Sequence, residues 1–258
     1  MKSKTLTKFT GIIPARYGSS RFPGKPLALI GGKSMIERVY EQASKALEEV
    51  WVATDDERIM QVVSAFGGKV VITSSSHRSG TDRCAEAVTM IRGSNTDSES
   101  VVINIQGDEP FIRPEQIKTV MDCFSASEVQ IATLVRKVAP GEDLSDINQP
   151  KVVLAKNMDA LYFSRSVIPF LRDGGHDDPA SKHQYYKHIG LYGYRTGTLM
   201  KITALPQSPL ELAESLEQLR WLENGLHIRC SVTTWESHGI DTPHDLEKAE
   251  TLFRAQNG

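Results

Sequence analysis

A glycine-rich loop with several cations follows the first strand-like run of the chain, in the stretch GIIPARYGSSRFPGKPL (residues 11–27). It carries Arg16, Arg21 and Lys25 within ten positions. Glycine-rich turns present backbone N–H groups to anions, and guanidinium and ammonium groups supply the opposite charge. The loop is not a Walker A motif, since Pro23 stands where the second glycine belongs, and it holds no Rossmann GxGxxG. Three cations on one turn favour anion binding over a solvated turn.

Carboxylates that could hold a metal ion occur in two other stretches. INIQGDEP (residues 103–110) brings Asp108 and Glu109 to the end of an apolar run. Because Mg²⁺ usually takes one or two protein carboxylates and bridges to substrate phosphates, this run beside a basic loop favours a metal site. Asp241 in HGIDTPHD offers a second carboxylate. It could equally cap the last helix, and spacing leaves both interpretations open.

Three further polar motifs have ordinary structural alternatives. The turn 79–81 in SSHRSGTDR precedes a helix, so it could bind a ligand with backbone groups, although a helix cap is the better interpretation of the turn alone. In HIGLYGY, His188, Tyr192 and Tyr194 share one strand face by period two and could line a polar pocket. Residues 217–218 in SLEQLR could be no more than a charged helix face.

The elements that must position these groups alternate between strand and helix in the first half of the chain. The predicted strands are FTGIIPA, EVWVATD, KVVIT and SVVINIQ, and the predicted helices are SMIERVYEQASKAL, DERIMQVVSAFGG, GTDRCAEAVTMI and RPEQIKTVMDCF. Ser34 is the predicted N-cap of the first helix. This alternation predicts a mainly parallel α/β sheet with helices on both faces, in which ligands bind at the carboxyl ends of the strands.

The second half of the chain is less regular. VQIATLVRKV, KVVLAKN, HIGLYGYR and HIRCSVTTW are predicted strands, SPLELAESLEQLRWLENG is a predicted single helix that ends at Gly225, and TPHDLEKAETLFRAQ is the final helix. The polar stretch RDGGHDDPASKHQYY is predicted to be a mobile loop. We expect a flexible tail over residues 1–8 and a single domain over 9–258, with a smaller inserted lobe within about 150–210.

Composition excludes several classes of protein. The formal net charge of -2 over 258 residues gives no overall attraction to nucleic acid or to a membrane surface. Cys84, Cys123 and Cys230 are far apart and form no CxxC, so we expect free thiols in a reducing compartment. No apolar run is long enough for a signal peptide or a transmembrane helix. We therefore expect a cytoplasmic protein without membrane insertion.

Together these stretches resemble one known family. IIPARYGSSRFPGKPL, VATDDERI, HRSGTDR, NIQGDEP, ALYFSR, HIGLYGY, SPLELAESLEQLR and GIDTPHDLEKAE are similar, in order, to motifs of the 3-deoxy-manno-octulosonate (Kdo) cytidylyltransferases, the CMP-Kdo synthetases. The first motif is shared with other sugar cytidylyltransferases, whereas HIGLYGY and SPLE…LEQLR are more specific. The resemblance implies a nucleotide-sugar transferase-like fold with a smaller lobe for dimerisation and sugar binding. It also implies a homodimer.

The resemblance implies that CTP and Kdo react to give CMP-Kdo and pyrophosphate, with Mg²⁺, for lipopolysaccharide synthesis. The implied catalytic residues are Arg16, Lys25, Asp108 and Asp241, of which Asp108 and Asp241 would hold the metal. The implied CTP-binding residues are Ala15, Arg16, Arg21, Lys25, Ser79, Gly80, Thr81 and Arg83. The implied Kdo-binding residues are Gln106, Arg165, His188, Tyr192, Glu217 and Gln218.

The implied reaction is consistent with the residue types. The anomeric hydroxyl of Kdo would attack the α-phosphorus in line with the departing pyrophosphate, and cations would offset the repulsion between two anionic substrates. The three cysteines lie outside the motifs, so no covalent nucleophile is evident. The alternatives are a cytidylyltransferase for sialic acid or an amino analogue of Kdo, and a non-catalytic nucleotide-binding protein. A glycosyltransferase is a weaker alternative, because QGDEP is not a DxD motif.

Overall fold

The computed structural model describes residues 7–19, 21–93, 97–172, 178–236 and 239–257, without the side chains of residues 252 and 255–257. Most of the predicted N-terminal tail (1–6) and part of the predicted mobile loop (173–177) lie outside the described residues. The carbonyl of Lys8, within the predicted tail, accepts a hydrogen bond from the N–H of Val101. No helix in the described ranges is long and apolar enough to cross a membrane.

A mixed sheet of nine strands forms the centre of the molecule, and a two-stranded ribbon lies outside it. The strands are β1 (Phe9–Ala15), β2 (Leu29–Ile30), β3 (Lys33–Ser34), β4 (Val50–Thr54), β5 (Lys69–Ile72), β6 (Val101–Asn104), β7 (Ile131–Lys137), β8 (Lys151–Leu154), β9 (Ala160–Ser164), β10 (Tyr186–Arg195) and β11 (Ile228–Thr233). The order is β11-β7-β10-β6-β1-β4-β5, with β8 and β9 attached beside β10. Along this path β10 runs antiparallel to its neighbours β6 and β7, and the other pairs are parallel. The predicted mainly parallel α/β sheet is confirmed.

Helices connect these strands. They are α1 (Met35–Ser44), α2 (Glu57–Ala65), α3 (Gly80–Arg92), α4 (Pro114–Cys123), α5 (Thr196–Thr203), α6 (Pro209–Glu214), α7 (Gln218–Glu223) and α8 (Pro243–Asn257). Ser34 caps α1, Asp56 caps α2 and Ser79 caps α3, each by accepting a backbone N–H. Local sequence therefore sets the starts of these helices, as predicted for Ser34.

The core lies on both faces of the sheet. Adjacent residues Ile12 and Ile13 of β1 are fully buried, and they belong to two different apolar clusters. Side chains of α1, α2 and α4 cover the face of Ile13, and side chains of α3, α5 and α7 cover the face of Ile12. Because successive side chains of a strand point to opposite faces, this division confirms helices on both sides.

The prediction of one helix over SPLELAESLEQLRWLENG is wrong. The segment forms two short helices, α6 and α7, which are separated at Ser215, a residue with a left-handed φ of 51°. Arg165 explains the break, because its side chain donates to the carbonyls of Glu214 and Ser215 at 2.7 and 3.2 Å. These carbonyls bind a remote arginine in place of continued helical hydrogen bonding. Gly225 does follow the end of α7, with a φ of 74°.

Candidate active site

A cavity of about 340 Å³ opens at the carboxyl ends of β1, β5 and β6. Three loops and one distant residue line it: the end of β1 with the basic loop, the segment 77–80, the segment 106–108, and Asp241. The predicted residues that line it are Ala15, Arg16, Arg21, Lys25, Ser79, Gly80, Arg83, Gln106, Asp108 and Asp241. Parallel strands end at one edge of a sheet, so polar residues that are distant in sequence meet there.

The basic loop is held in a fixed path by its backbone. The carbonyl of Tyr17 accepts the N–H groups of Ser19 and Gly24, both at 2.9 Å. Gly24 has a φ of 72°, and a Cβ added there would meet the Tyr17 ring at 3.1 Å. The guanidinium of Arg58 stacks 3.3 Å from the centre of the same ring. These contacts direct the following residue, Lys25, into the cavity.

Lys25 lies between the two carboxylates that the sequence singled out. Its Nζ donates to Asp108 Oδ2 at 2.7 Å and to Asp241 Oδ1 at 3.1 Å. Arg21 Nη2 donates to the other oxygen of Asp241, also at 3.1 Å. The Arg16 side chain is exposed on the same cavity and pairs with neither carboxylate in the described structure. The site is thus two carboxylates and three cations at one edge of the sheet.

The structure speaks against a capping role for the Asp241 side chain. The hydroxyl of Thr242 accepts the N–H of Asp245, and the Asp245 carboxylate accepts the N–H of Thr242 at 2.9 Å. Thr242 and Asp245 therefore form a reciprocal cap at the start of α8. The carboxylate of Asp241 is not needed for capping, and it points instead to Lys25 and Arg21.

The wall of the cavity opposite the basic loop is rigid. Arg83 is buried, donates to Asp55 Oδ2 at 3.0 Å, and donates to the hydroxyl of Thr73 at 2.6 Å. A Cβ added at Gly107 would lie 2.8 Å from the carbonyl oxygen of Pro14, so glycine is required where these loops approach each other. Ser79 caps α3, as the turn alone predicted, and it also lines the cavity.

Thr81 and Glu217 join the cavity wall to α7. The Thr81 hydroxyl, which is buried, donates to Glu217 Oε2 at 2.6 Å. Arg220 Nη2 donates to the other carboxylate oxygen at 2.8 Å. Burial raises the pKa of Glu217, and these hydrogen bonds act against that rise. Glu217 lines a second cavity of about 490 Å³ that shares Arg78 and Ser79 with the first.

Two other residues of the implied sugar site, His188 and Tyr192, belong to an aromatic cluster that lines neither cavity. The ring of His188 lies 5.3 Å from that of Tyr192, and the ring of Tyr192 lies 5.3 Å from that of Trp221. His188 Nε2 is 2.9 Å from the Thr133 hydroxyl. Burial lowers the pKa of His188 to about 3, so the ring is neutral near pH 7. The predicted shared face of His188, Tyr192 and Tyr194 is confirmed by the stacking of the two tyrosines.

Three side chains around the aromatic cluster carry buried polar atoms. Tyr192 Oη, Gln218 Nε2 and Trp221 Nε1 are buried and have no hydrogen-bond partner among the described residues. Arg165 differs, since its guanidinium is already bonded to the carbonyls of Ile147, Glu214 and Ser215.

The thiols take no part in this site. Cys84 and Cys230 are buried, and burial raises their pKa values well above the ordinary thiol range. A buried protonated thiol is a poor nucleophile. The expectation of free, non-nucleophilic cysteines agrees with this arrangement.

Comparison with known proteins matches the geometry. The sequence profile of the family described as Cytidylyltransferase matches residues 10–228. A 3-deoxy-manno-octulosonate cytidylyltransferase of Bacteroides thetaiotaomicron is 59% identical over 250 residues, covering 96% of this chain and 98% of the relative. The enzyme of that name from Phocaeicola vulgatus is 58% identical over 254 residues, covering 97% and 99%. The chain belongs to the 3-deoxy-manno-octulosonate cytidylyltransferase family.

A solved structure of a family member agrees with the fold of this cytidylyltransferase. It is CMP:2-keto-3-deoxy-manno-octonic acid synthetase in complex with CTP, with a TM-score of 0.88 and 43% sequence identity. The match covers 98% of this chain and 100% of that one. The fold class implied by the sequence motifs is therefore confirmed.

The sequence did not identify every residue of the cavity, and some of the predicted site residues lie outside it. His77 and Arg78 line the cavity, although the implied CTP-binding residues of this stretch are only Ser79, Gly80, Thr81 and Arg83. The signal was available, because both belong to the quoted motif HRSGTDR. Asp55 is the last residue of the predicted strand EVWVATD, but its ion pair with Arg83 could not be read from spacing. Of the predicted site residues, the structure leaves five outside both cavities: Thr81, Arg165, His188, Tyr192 and Gln218.

Proposed function

We propose that this enzyme transfers CMP from CTP to Kdo, giving CMP-Kdo and pyrophosphate and activating Kdo for lipopolysaccharide synthesis. The observation that carries the proposal is the meeting of the basic loop with Asp108 and Asp241 in one cavity. Cations suit a triphosphate, and paired carboxylates suit the metal that accompanies it. The names of the relatives supply the sugar acid.

The two carboxylates fit a magnesium ion. Both reach one common cation, the ammonium of Lys25, so both can reach a single metal ion at that place. No group of three or more His, Cys, Asp or Glu side chains suited to a metal was found in the described ranges. Two carboxylates completed by phosphate oxygens and water are typical of Mg²⁺ rather than of a closed protein cage. When bound, the metal would neutralise phosphate charge.

We assign the protein groups as follows. Arg16, Arg21 and Lys25 bind the triphosphate and stabilise charge that develops on departing pyrophosphate. Ala15, Ser79, Gly80 and Arg83 form the nucleotide wall, where Asp55 holds Arg83 in place, and the neighbouring Thr81 donates a hydrogen bond to Glu217. The Kdo hydroxyl attacks the α-phosphorus directly, which is consistent with the absence of an activated thiol among the described residues.

The sugar acid binds beside this wall. Gln106 lies at its edge, and Tyr192 and Gln218 offer buried polar atoms without partners. Neutral His188 can accept or donate a hydrogen bond without adding charge. Glu217, held by Thr81 and Arg220, is placed to accept from sugar hydroxyls. Arg165 acts by fixing the turn between α6 and α7 next to these groups.

We also propose a cytoplasmic homodimer of single-domain subunits, with residues of about 150–210 forming the smaller lobe. Among the described residues of this region, four large apolar side chains are exposed: Leu161, Val167, Phe170 and Leu210. Such exposure is typical of protein–protein contacts. Sedimentation equilibrium measures the mass in solution, and the mass of a single chain at micromolar concentration would refute the dimer.

A pyrophosphate-release assay tests the proposed reaction. The purified protein is supplied with CTP, Mg²⁺ and, in turn, Kdo, an amino analogue of Kdo and sialic acid. We expect release with Kdo, and release with another acid alone would overturn the assignment. Asp241→Asn should reduce turnover by at least about 10²-fold while CTP still binds. Asp122→Asn, at an exposed position on α4, is the matched control and should leave turnover unchanged.

A further inference from the structure

The ammonium of Lys25 occupies the position where the two carboxylates converge. It is bonded to both, at 2.7 Å to Asp108 and 3.1 Å to Asp241. Its side chain is only 13% exposed, whereas that of Asp241 is 47% exposed. A single cation thus already satisfies both groups that a metal ion would need.

We propose that Lys25 is an interlock that couples metal binding to nucleotide binding. Without nucleotide, its ammonium holds Asp108 and Asp241 and keeps a divalent cation out. A triphosphate in the cavity offers the ammonium of Lys25 other oxygens to bind. When the ammonium moves to the triphosphate, Asp108 and Asp241 become free to bind a divalent cation. The inference rests on the proposed function, because it takes a nucleotide triphosphate and a divalent cation as the ligands of this cavity.

Competition for the same oxygens supports the interlock. A magnesium ion binds carboxylate oxygens at about 2.0–2.1 Å, so it would lie within a few ångströms of an ammonium bonded to those oxygens. Two cations at that separation repel each other strongly in a partly buried site. The divalent ion and the ammonium therefore compete for Asp108 and Asp241.

The loop allows Lys25 to change partners without moving its backbone. The residues on either side of Lys25 are held in place. The N–H of Gly24 donates to the carbonyl of Tyr17, and Pro26 is buried. The lysine side chain is a flexible four-carbon stem that ends in a compact charge, which binds carboxylate and phosphate oxygens alike. Arg16 and Lys25 line one cavity, so a phosphate bound by the exposed Arg16 lies within reach of Lys25.

Manganese binding in the absence of nucleotide tests the interlock. Free Mn²⁺ is measured by electron paramagnetic resonance with the wild-type protein, Lys25→Gln and Arg16→Gln. Each variant removes one positive charge from the same loop, but of the two residues Lys25 pairs with Asp108 and Asp241 and Arg16 pairs with neither. We expect Lys25→Gln to bind Mn²⁺ at least about tenfold more tightly than the wild type, and Arg16→Gln to bind it within about threefold of the wild type. Equal gains in both variants would show a general charge effect and overturn the proposal.

A second measurement adds a nucleotide, and its first comparison uses the wild-type protein alone. A non-hydrolysable CTP analogue is added, and Mn²⁺ affinity is compared with and without it. We expect the analogue to increase Mn²⁺ affinity, and to do so by a smaller factor in Lys25→Gln. Equal Mn²⁺ affinity of the wild type with and without the analogue would refute the interlock even if the variant failed to fold. If neither CTP nor its analogue binds, the proposed function fails; if both bind and the coupling is absent, only the interlock fails.

Discussion

The hydrogen bond from Thr81 to Glu217 gives a prediction that depends on the structure alone. Thr81→Val keeps the shape of the side chain and removes the donor that lies 2.6 Å from Glu217 Oε2. Hydrogen bonds to charged groups contribute about 1.5–3 kcal/mol, and because the Glu217 side chain is 25% exposed, the loss should lie at the lower end of this range. We expect Thr81→Val to lower the free energy of unfolding by about that amount near pH 8.

The destabilisation caused by Thr81→Val should decrease as the pH is lowered. Burial raises the pKa of Glu217 above its ordinary value of 4.5, and removal of a hydrogen bond to the carboxylate raises it further. The folded variant therefore holds a proton to higher pH than the wild type does. Once Glu217 is protonated in both proteins, the bond to the charged form is lost in both. The destabilisation by Thr81→Val should consequently be smaller at pH 5 than at pH 8.

Urea unfolding at pH 5, 6, 7 and 8 measures the effect. Thr89→Val is the matched control, because it makes the same change in the same helix where the hydroxyl donates to the carbonyl of Ala85 instead of a carboxylate. We expect the effect of Thr89→Val to be small and constant with pH. A destabilisation by Thr81→Val that does not change between pH 5 and pH 8 would refute the reasoning.

Two further predictions concern the loop and the histidine. Gly24→Ala should cost about 1–2 kcal/mol in stability and weaken CTP binding, because it combines a left-handed φ with a contact at 3.1 Å to the Tyr17 ring. Gly32→Ala, at a φ of 80° with open space around it, should cost stability without changing CTP affinity measured by calorimetry; equal losses of affinity would contradict the role of Gly24. For His188, whose pKa burial lowers to about 3, NMR should show a ring that does not titrate between pH 5 and 8, with the exposed His227 as reference. Its contribution to stability should be complete above pH 6.5 and lost as the pH falls toward 3, and a His188 titration near pH 6.5 would disprove its burial.

Local sequence determined much of the architecture. Ser34, Asp56 and Ser79 each precede an apolar periodic run, and each caps the helix that follows. Caps and apolar periodicity act over a few residues, so a single sequence is enough to place these elements. The basic loop and the QGD turn were identified in the same way, since side-chain type and position after a strand are both local properties.

The tertiary structure decided which of these groups meet. Lys25 pairs with Asp108 and Asp241, which are 83 and 216 positions away in the chain. The helix predicted through Ser215 is broken by Arg165, 50 positions earlier, which binds the carbonyl of Ser215. Pairings of this kind follow from strand order and loop paths and not from local propensity, because distant charged groups become neighbours only after the sheet has formed. The sequence alone therefore identified the cations and carboxylates of the site, and the fold determined that one lysine holds both carboxylates.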